Sequence, residues 1–418
     1  MLPARLEVPW YAHLRFMATQ PESHPKPSPA DFMRTAPWPI FAEDEIAAAT
    51  KVLESGRVNY WTGEEGKRFE EEFATAVGMR HAIAFSNGTV SLEVAYRALG
   101  LGAGDEFVTT PRTFVATSLA GTVLGAVPIF ADVDRDSGNI TAESIARVLT
   151  PRTKLISLVH LGGWPADMDE IRQLADSRGV AIVEDCAQAH DATYRGRPLG
   201  QFSEIASWSF CQDKIMTTGG EGGMLATNDQ AFADACWSYK DHGKSPVKLR
   251  TPHDGTSYRW LHDGPGTNAR MTEFQSAIGR AQLRKLDDWK AARTRNASFL
   301  IDALSGLDAL RVPVPDADRE AAWYKFYCYV RPEALKSDWS RERILGDIVA
   351  EGIPAFSGSC SEIYREESLL QFAPAEPLPV ARELGETTIM LLVHPTLTQD
   401  HISATAAAVE SVVQRATR

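Results

Sequence analysis

Cysteine is scarce in this chain. The five residues, Cys186, Cys211, Cys236, Cys328 and Cys360, are odd in number, far apart, and include no C-x-x-C pair. That spacing excludes a disulfide framework or a zinc cage and fits a reducing compartment. Long apolar runs are also missing, since no stretch reaches the roughly 18 residues that a membrane helix needs. Positive charge is in deficit, with 43 Lys+Arg against 55 Asp+Glu and a formal net charge of -12. Broad nucleic-acid binding needs a basic face and is excluded, although a few local arginines can still bind a small anion. Ten histidines are present without an H-E-x-x-H or other clustered His/Cys spacing, so no metal is expected. Residues 1–38 lack an apolar h-region and a small-residue cleavage site, and Pro21, Pro25, Pro27 and Pro29 interrupt them. They are expected to form a loose arm, with the cytoplasm as the expected location and no membrane partner.

What is present fits a soluble protein of two domains. At 418 residues the chain exceeds the size at which one hydrophobic core keeps growing, and 44% hydrophobic with 23% charged residues is an ordinary globular balance. Apolar spacing predicts helices over 43–55 and 64–77, each stopped by a glycine. Strand-like and helix-like segments then alternate: 81–85, 89–99, 107–109, 115–124, 127–130, 154–159, 167–177 and 180–184. That rhythm is the signature of an α/β domain with a mostly parallel sheet. Segments 206–210 and 223–227 add strands, and a long connector helix is expected from Thr272 toward Leu304. Beyond it, strands at 323–330 and 388–393, a helix near 341–350 and a terminal helix from Gln399 predict a smaller α+β domain. The expected division is an arm over 1–37, a large domain over 38–290 and a small domain over 291–418.

Three features carry chemistry. Lys214 follows an apolar run, Ser207-Trp208-Ser209-Phe210, and precedes Gly219-Gly220-Glu221-Gly222-Gly223. Glu184-Asp185 closes the buried-strand pattern Val180-Ala181-Ile182-Val183, and Ser86-Asn87-Gly88-Thr89-Val90-Ser91 is a small polar turn opening a helix. Each alone has an ordinary reading: a solvated lysine, a loop acid, an N-capped turn. Together, in this order, they supply what pyridoxal phosphate (PLP) requires. A lysine holds the aldehyde as a Schiff base, an acid keeps the pyridine nitrogen protonated, and helix-start N–H groups hold the phosphate. Gly100-Leu101-Gly102-Ala103-Gly104 imitates a dinucleotide fingerprint but follows a helix rather than a strand. Cys211 has no paired histidine and reads as a packed thiol. His242, His253 and His262, in a polar stretch, read as solvated.

From about Trp38 to the C-terminus the chain resembles the DegT/StrS-type nucleotide-sugar aminotransferases, a branch of the fold-type-I PLP enzymes. The resemblance is carried by Ser55-Gly56-Arg57, Trp61-Thr62-Gly63, Asn87-Gly88-Thr89, Gly104-Asp105-Glu106, Thr113-Phe114, Glu184-Asp185-Cys186-Ala187-Gln188, Ser209-Phe210, Lys214, residues 217–223 and Gly266-Thr267-Asn268-Ala269-Arg270. It implies an aspartate-aminotransferase-like α/β fold and an amino transfer from L-glutamate to a nucleotide-linked keto sugar. By the same resemblance Lys214 is the Schiff-base lysine and proton shuttle, and Asp185 pairs with the pyridine nitrogen. Phe114 lies against the ring, Gln188 sits near its phenolic oxygen, and Ser209 with Gly88 and Thr89 binds the phosphate. Asn268, with Arg270, reaches that phosphate from a second subunit, so a homodimer with shared sites is implied. Three positions depart from the family pattern: Asp191 where glycine is common, an extra glycine at Gly219-Gly220, and Ala269 in place of an aromatic. Other readings compatible with these motifs are an aminotransferase for a cyclitol or other non-nucleotide ketone, a PLP-dependent sugar dehydratase, and an idle PLP-binding regulator. Dehydratase relatives replace the lysine that this chain keeps at 214.

Overall fold

The computed structural model describes residues 28–253 and 255–418. Seven strands form the central sheet: β1 (His81–Phe85), β2 (Glu106–Thr109), β3 (Val127–Phe130), β4 (Thr153–Val159), β5 (Ala181–Asp185), β6 (Ile205–Ser209) and β7 (Gly223–Thr227). Their order across the sheet is β1-β7-β6-β5-β4-β2-β3. The pairings from β6 across to β3 are parallel, whereas β7 runs antiparallel to both β1 and β6. The helices that separate the parallel strands cover both faces, so strands such as β2 and β5 are buried on both sides. Phe107, Val108, Ile182 and Val183 are fully enclosed for that reason.

A second sheet, β8 (Leu310–Arg311), β9 (Phe326–Val330), β10 (Ala355–Phe356) and β11 (Thr388–Leu391), is antiparallel in the order β8-β9-β11-β10. Phe326, Cys328 and Val330 of β9 pack with Ile389 and Leu391 of β11 against Val409, Val412 and Val413 of the terminal helix Gln399–Ala416. The pleat's period of two puts these residues on one face of the sheet.

Two sequence expectations need correction. Within the expected loose arm, Pro29–Thr35 is a helix. Pro29 occupies the helix start, where its missing N–H is no loss, and the Ser28 hydroxyl accepts from Asp31 N at 3.2 Å. Phe32 is buried in the small-sheet core, edge-on to His401 with ring centroids 4.9 Å apart. Residues 1–27 of the arm lie outside the described residues. The connector expected as one long helix is two, Glu273–Leu283 and Leu286–Leu304. No proline or glycine marks the break. Tertiary bonds hold it: Gln282 Oε1 accepts from Thr217 N at 2.8 Å, and Lys285 Nζ reaches Asp44 and Glu45 at 2.7 and 2.8 Å.

Candidate active site

Ligands of open parallel sheets bind beyond the carboxyl ends of the strands. At the end of β5 two adjacent acids part company, because successive strand side chains point to opposite faces. Glu184 points into the protein. It accepts from His160 Nε2 at 3.1 Å, Gly200 N at 2.9 Å, Phe202 N at 3.0 Å and Ser203 Oγ at 2.8 Å. Burial acts to raise its pKa, yet these donors, His160 foremost, hold it below the ordinary carboxylate value. Since His160 Nδ1 accepts from Ala166 N at 3.0 Å, its Nε2 carries the proton donated to Glu184.

Asp185 has the opposite environment. Its carboxylate is buried with two donors, Thr117 Oγ1 at 2.8 Å and Ala187 N at 3.0 Å. Among the described residues no cation forms an ion pair with it. Burial therefore pushes its pKa up, against the pull of Ala187, Thr117 and the more distant Lys214. A buried carboxylate in this state lacks a positive partner, and a protonated ring nitrogen would supply one.

Lys214 lies on the loop that leaves β6. Its carbonyl accepts from Trp38 Nε1 at 3.0 Å, and its Nζ stands 4.9 Å from the centroid of the Tyr324 ring. Gly219 and Gly220, the latter the extra glycine, both take left-handed φ values, 88° and 118°, so this turn uses both. Asp191, where glycine is common, is also left-handed at φ 61°, a conformation aspartate tolerates better than most residues.

The small polar turn forms a cradle beside Ser209. Asn87 caps the Gly88–Ala98 helix by accepting from Val90 N at 2.9 Å, and the first N–H groups of a helix have no intrahelical acceptor. Gly88 is pressed against β6: a Cβ there would lie 2.6 Å from Ser209 Cβ and 3.0 Å from Ser209 Oγ. Thr89, beside it, is exposed. Helix-start amides, a serine hydroxyl and a close backbone approach form a donor set that fits a phosphate. Gln188 is buried and its Oε1 accepts from Gly162 N at 2.7 Å, which leaves its amide nitrogen to donate elsewhere. Phe114, 65% exposed, lies one helical turn before the Thr117 that holds Asp185. The geometry thus brings together Asp185, Lys214, Gln188, Ser209, Gly88, Thr89 and Phe114 around the strand ends.

Asn268 and Arg270 lie along the outer edge of the sheet, beside the end of β1 where the polar turn begins. Thr267 N donates to Tyr239 O at 2.8 Å, and Ser86 N donates to Ala269 O at 2.9 Å, so this segment is strapped beside β1. Asn268 is exposed. Arg270 is engaged within its own chain, donating to Asp241 Oδ1 at 2.9 Å.

Several residues of the site carried no sequence signal. The segment leading into β9 contributes Tyr324 and Lys325, brought in where Ala322 N and Tyr324 N donate to Gly163 O and Gly162 O, each at 2.9 Å. Tyr324 donates its hydroxyl to Asp213. Arg293 is fully buried, forms no ion pair among the described residues, and donates to the carbonyls of Trp323 and Tyr324 at 3.2 and 3.3 Å. The contacts of this segment to Gly162, Gly163 and Asp213 join residues more than a hundred positions apart. Thr117 carried no signal of its own; its hydroxyl lies 3.2 Å from that of Thr113, just ahead of the helix Ala116–Thr122.

This fold, with a buried unpaired acid, a loop lysine and an anion cradle at its strand ends, defines a fold-type-I PLP enzyme. The DegT/DnrJ/EryC1/StrS aminotransferase family matches residues 39–410, and the chain belongs to it. The enzymes of that family are PLP-dependent aminotransferases, and this protein is one. It is 34% identical over 352 residues to a dTDP-3-amino-3,4,6-trideoxy-alpha-D-glucose transaminase of Streptomyces venezuelae, covering 84% of this chain and 87% of the relative. It is 33% identical over 354 residues to a 3-amino-5-hydroxybenzoate synthase of Amycolatopsis mediterranei, covering 84% and 88%. Among solved structures it is similar to an aminotransferase from Psychrobacter cryohalolentis, with a TM-score of 0.89, 50% identity and coverage of 91% and 99%. No helix among the described residues is long and apolar enough to cross a membrane.

Proposed function

We propose that this enzyme transfers an amino group from L-glutamate to a keto group on a nucleotide-linked sugar, as a cytoplasmic step of amino-sugar biosynthesis. The observation that carries the reading is the placement of Lys214 near the buried Asp185, which forms no ion pair among the described residues, in a chain similar to a dTDP-sugar transaminase. When bound, PLP supplies an aldehyde for the amine and a ring that takes up the electron pair released at the reacting carbon. The chain's residues do the rest. Asp185 holds a proton at the ring nitrogen, and burial strengthens that interaction. Lys214 would hold the aldehyde as a Schiff base and, when free, its amine would serve as the base that carries the proton. Gln188 would donate its amide to the ring oxygen, Phe114 would pack against the ring, and Ser209 with the amides of Gly88 and Thr89 would bind the phosphate.

The active unit in this reading is a homodimer with shared sites. Exposed Asn268, on a rigidly strapped edge segment, completes the phosphate site of the partner subunit, and two-fold symmetry makes the exchange reciprocal. Arg270 serves by fixing that segment through Asp241. The 3-amino-5-hydroxybenzoate synthase relative favours a second reading, an aminotransferase for a ketone that bears no nucleotide. A coupled screen of nucleotide keto sugars and free cyclic ketones with L-glutamate separates the two, with the amino product identified by mass and NMR. Turnover of free ketones only would overturn the nucleotide-sugar reading.

A further inference from the structure

Lys214 has a second lysine for company. Lys325 Nζ lies 4.7 Å from the centroid of the Tyr324 ring, the same ring that Lys214 Nζ approaches at 4.9 Å. The two amines are therefore no farther apart than the sum of those distances. Among the described residues neither amine forms an ion pair. The groups facing Lys325 are Asp213, Lys214, Arg293, Tyr324 and His394, three of them basic and only one a carboxylate. That carboxylate, Asp213, already accepts from the Tyr324 hydroxyl.

Placing this amine has a structural cost. Trp323, two residues before it, adopts φ 49°, a left-handed conformation that a bulky side chain seldom takes. Arg293 and the turn at Gly162–Gly163 hold the segment in that shape. A half-buried lysine that served only packing would be expected to have an acidic partner.

That upper limit on the separation admits a carboxylate bridging the two positions. A donor amino acid brings its nitrogen to where Lys214 Nζ was, and its α-carboxylate carbon lies two bonds away, about 2.5 Å. A charge-assisted hydrogen bond adds roughly 2.8 Å, so a cation some 5 to 6 Å from Lys214 Nζ can receive that carboxylate. We propose that Lys325 is a donor-specificity residue whose ammonium receives the α-carboxylate of the amino-acid donor. This rests on the reading that the donor is an amino acid.

The test uses the full-length, PLP-loaded enzyme with Lys325→Met and Lys325→Arg. The rate at which the PLP absorbance disappears in single turnovers, fitted against donor concentration, gives a Kd for the donor. Lys325→Met should raise the Kd for L-glutamate about ten- to a hundredfold, and Lys325→Arg should restore most of it. L-Glutamine keeps the α-carboxylate and lacks the γ-carboxylate, so it should suffer the same penalty. The Kd for PLP and the half-reaction with the keto acceptor should stay at wild-type values in both variants.

A pH profile adds a signature that a packing role would not give. Burial, aided by Arg293 and Lys214 and opposed by Asp213, pulls the Lys325 ammonium down to about 8. The charge is present below that pH and lost above it. Donor affinity should therefore weaken through this range in the wild type relative to Lys325→Arg. An unchanged Kd in Lys325→Met, a penalty for glutamate but not glutamine, or an equal loss in the acceptor half-reaction would overturn the inference. A wild-type enzyme that reacts with no amino acid refutes the donor reading itself, and that result appears before any variant is made.

Discussion

Replacing Asp185 with asparagine separates a catalytic charge from a structural one. In the folded apoenzyme the carboxylate is buried, accepts from only Thr117 and Ala187, and has its pKa raised above the unfolded value by burial. A raised folded pKa means the folded state binds the proton more tightly, so stability falls as pH rises from the unfolded value through the folded one. In the apoenzyme burial thus disfavours the ionised carboxylate, a penalty that Asp185→Asn removes. The amide fits the site. Its oxygen can accept from Ala187 N, while its NH2 donates to Thr117 Oγ1, which can turn its own proton toward Thr113 Oγ1 at 3.2 Å. The apo variant should therefore unfold within about 1 kcal/mol of the wild type, or above it. The holo variant should behave differently, because it has lost the anion that holds the ring nitrogen protonated. A tenfold weaker PLP affinity at saturating cofactor would reduce ligand stabilisation by about 1.4 kcal/mol. Turnover should fall about 10²- to 10³-fold, the scale of losing one preorganised electrostatic group. Thermal unfolding of apo and holo protein, with steady-state kinetics, reads all three quantities. Wild-type kcat in the variant, or an apo protein destabilised by more than about 2 kcal/mol, would refute the reasoning.

Lys214→Ala should abolish nearly all turnover while leaving the fold intact, and borohydride reduction of the wild type should label Lys214; labelling of another lysine would reassign the role. Gly88→Ala should weaken PLP binding, because its Cβ would sit 2.6 Å from Ser209 Cβ, and an unchanged PLP titration would remove the cradle from the phosphate site. Lys240 is fully buried and paired with Glu70 at 2.9 Å. Lys240→Met should destabilise by about 3 kcal/mol because the carboxylate stays behind, and denaturant unfolding checks this, with recovery expected on adding Glu70→Gln. Mixing inactive Lys214→Ala chains with inactive Asn268→Ala chains should restore up to about half the wild-type activity per mixed dimer; proven heterodimers without activity would place Asn268 in its own chain's site.

Local pattern made much of this protein legible. Strand β1 at His81–Phe85 and the helices Glu43–Ser55 and Arg341–Ala350 follow from periodicity and caps written in neighbouring residues. Lys214 and Asp185 stood out because a lysine beside a glycine cluster and an acid closing an apolar strand are local signals. Other features depended on residues far apart in the chain. Sequence could not say that β7 runs antiparallel, since strand direction depends on which edges pair. The break between Leu283 and Leu286 is held by contacts to Thr217, Asp44 and Glu45, which no local window contains. Pro29, read as a breaker, is a helix start because a core near His401 receives Phe32. The distinct environments of Glu184 and Asp185 arise from strand pleating, which turns one acid to His160 and the other toward the site. Tyr324 and Lys325 were invisible for the same reason: backbone bonds to Gly162 and Gly163, distant in the chain, help carry them to Lys214. Sequence determined which chemical groups were available, through short-range propensity and spacing. Tertiary packing decided which of them meet, because burial and charge pairing depend on neighbours that the chain brings together only by folding.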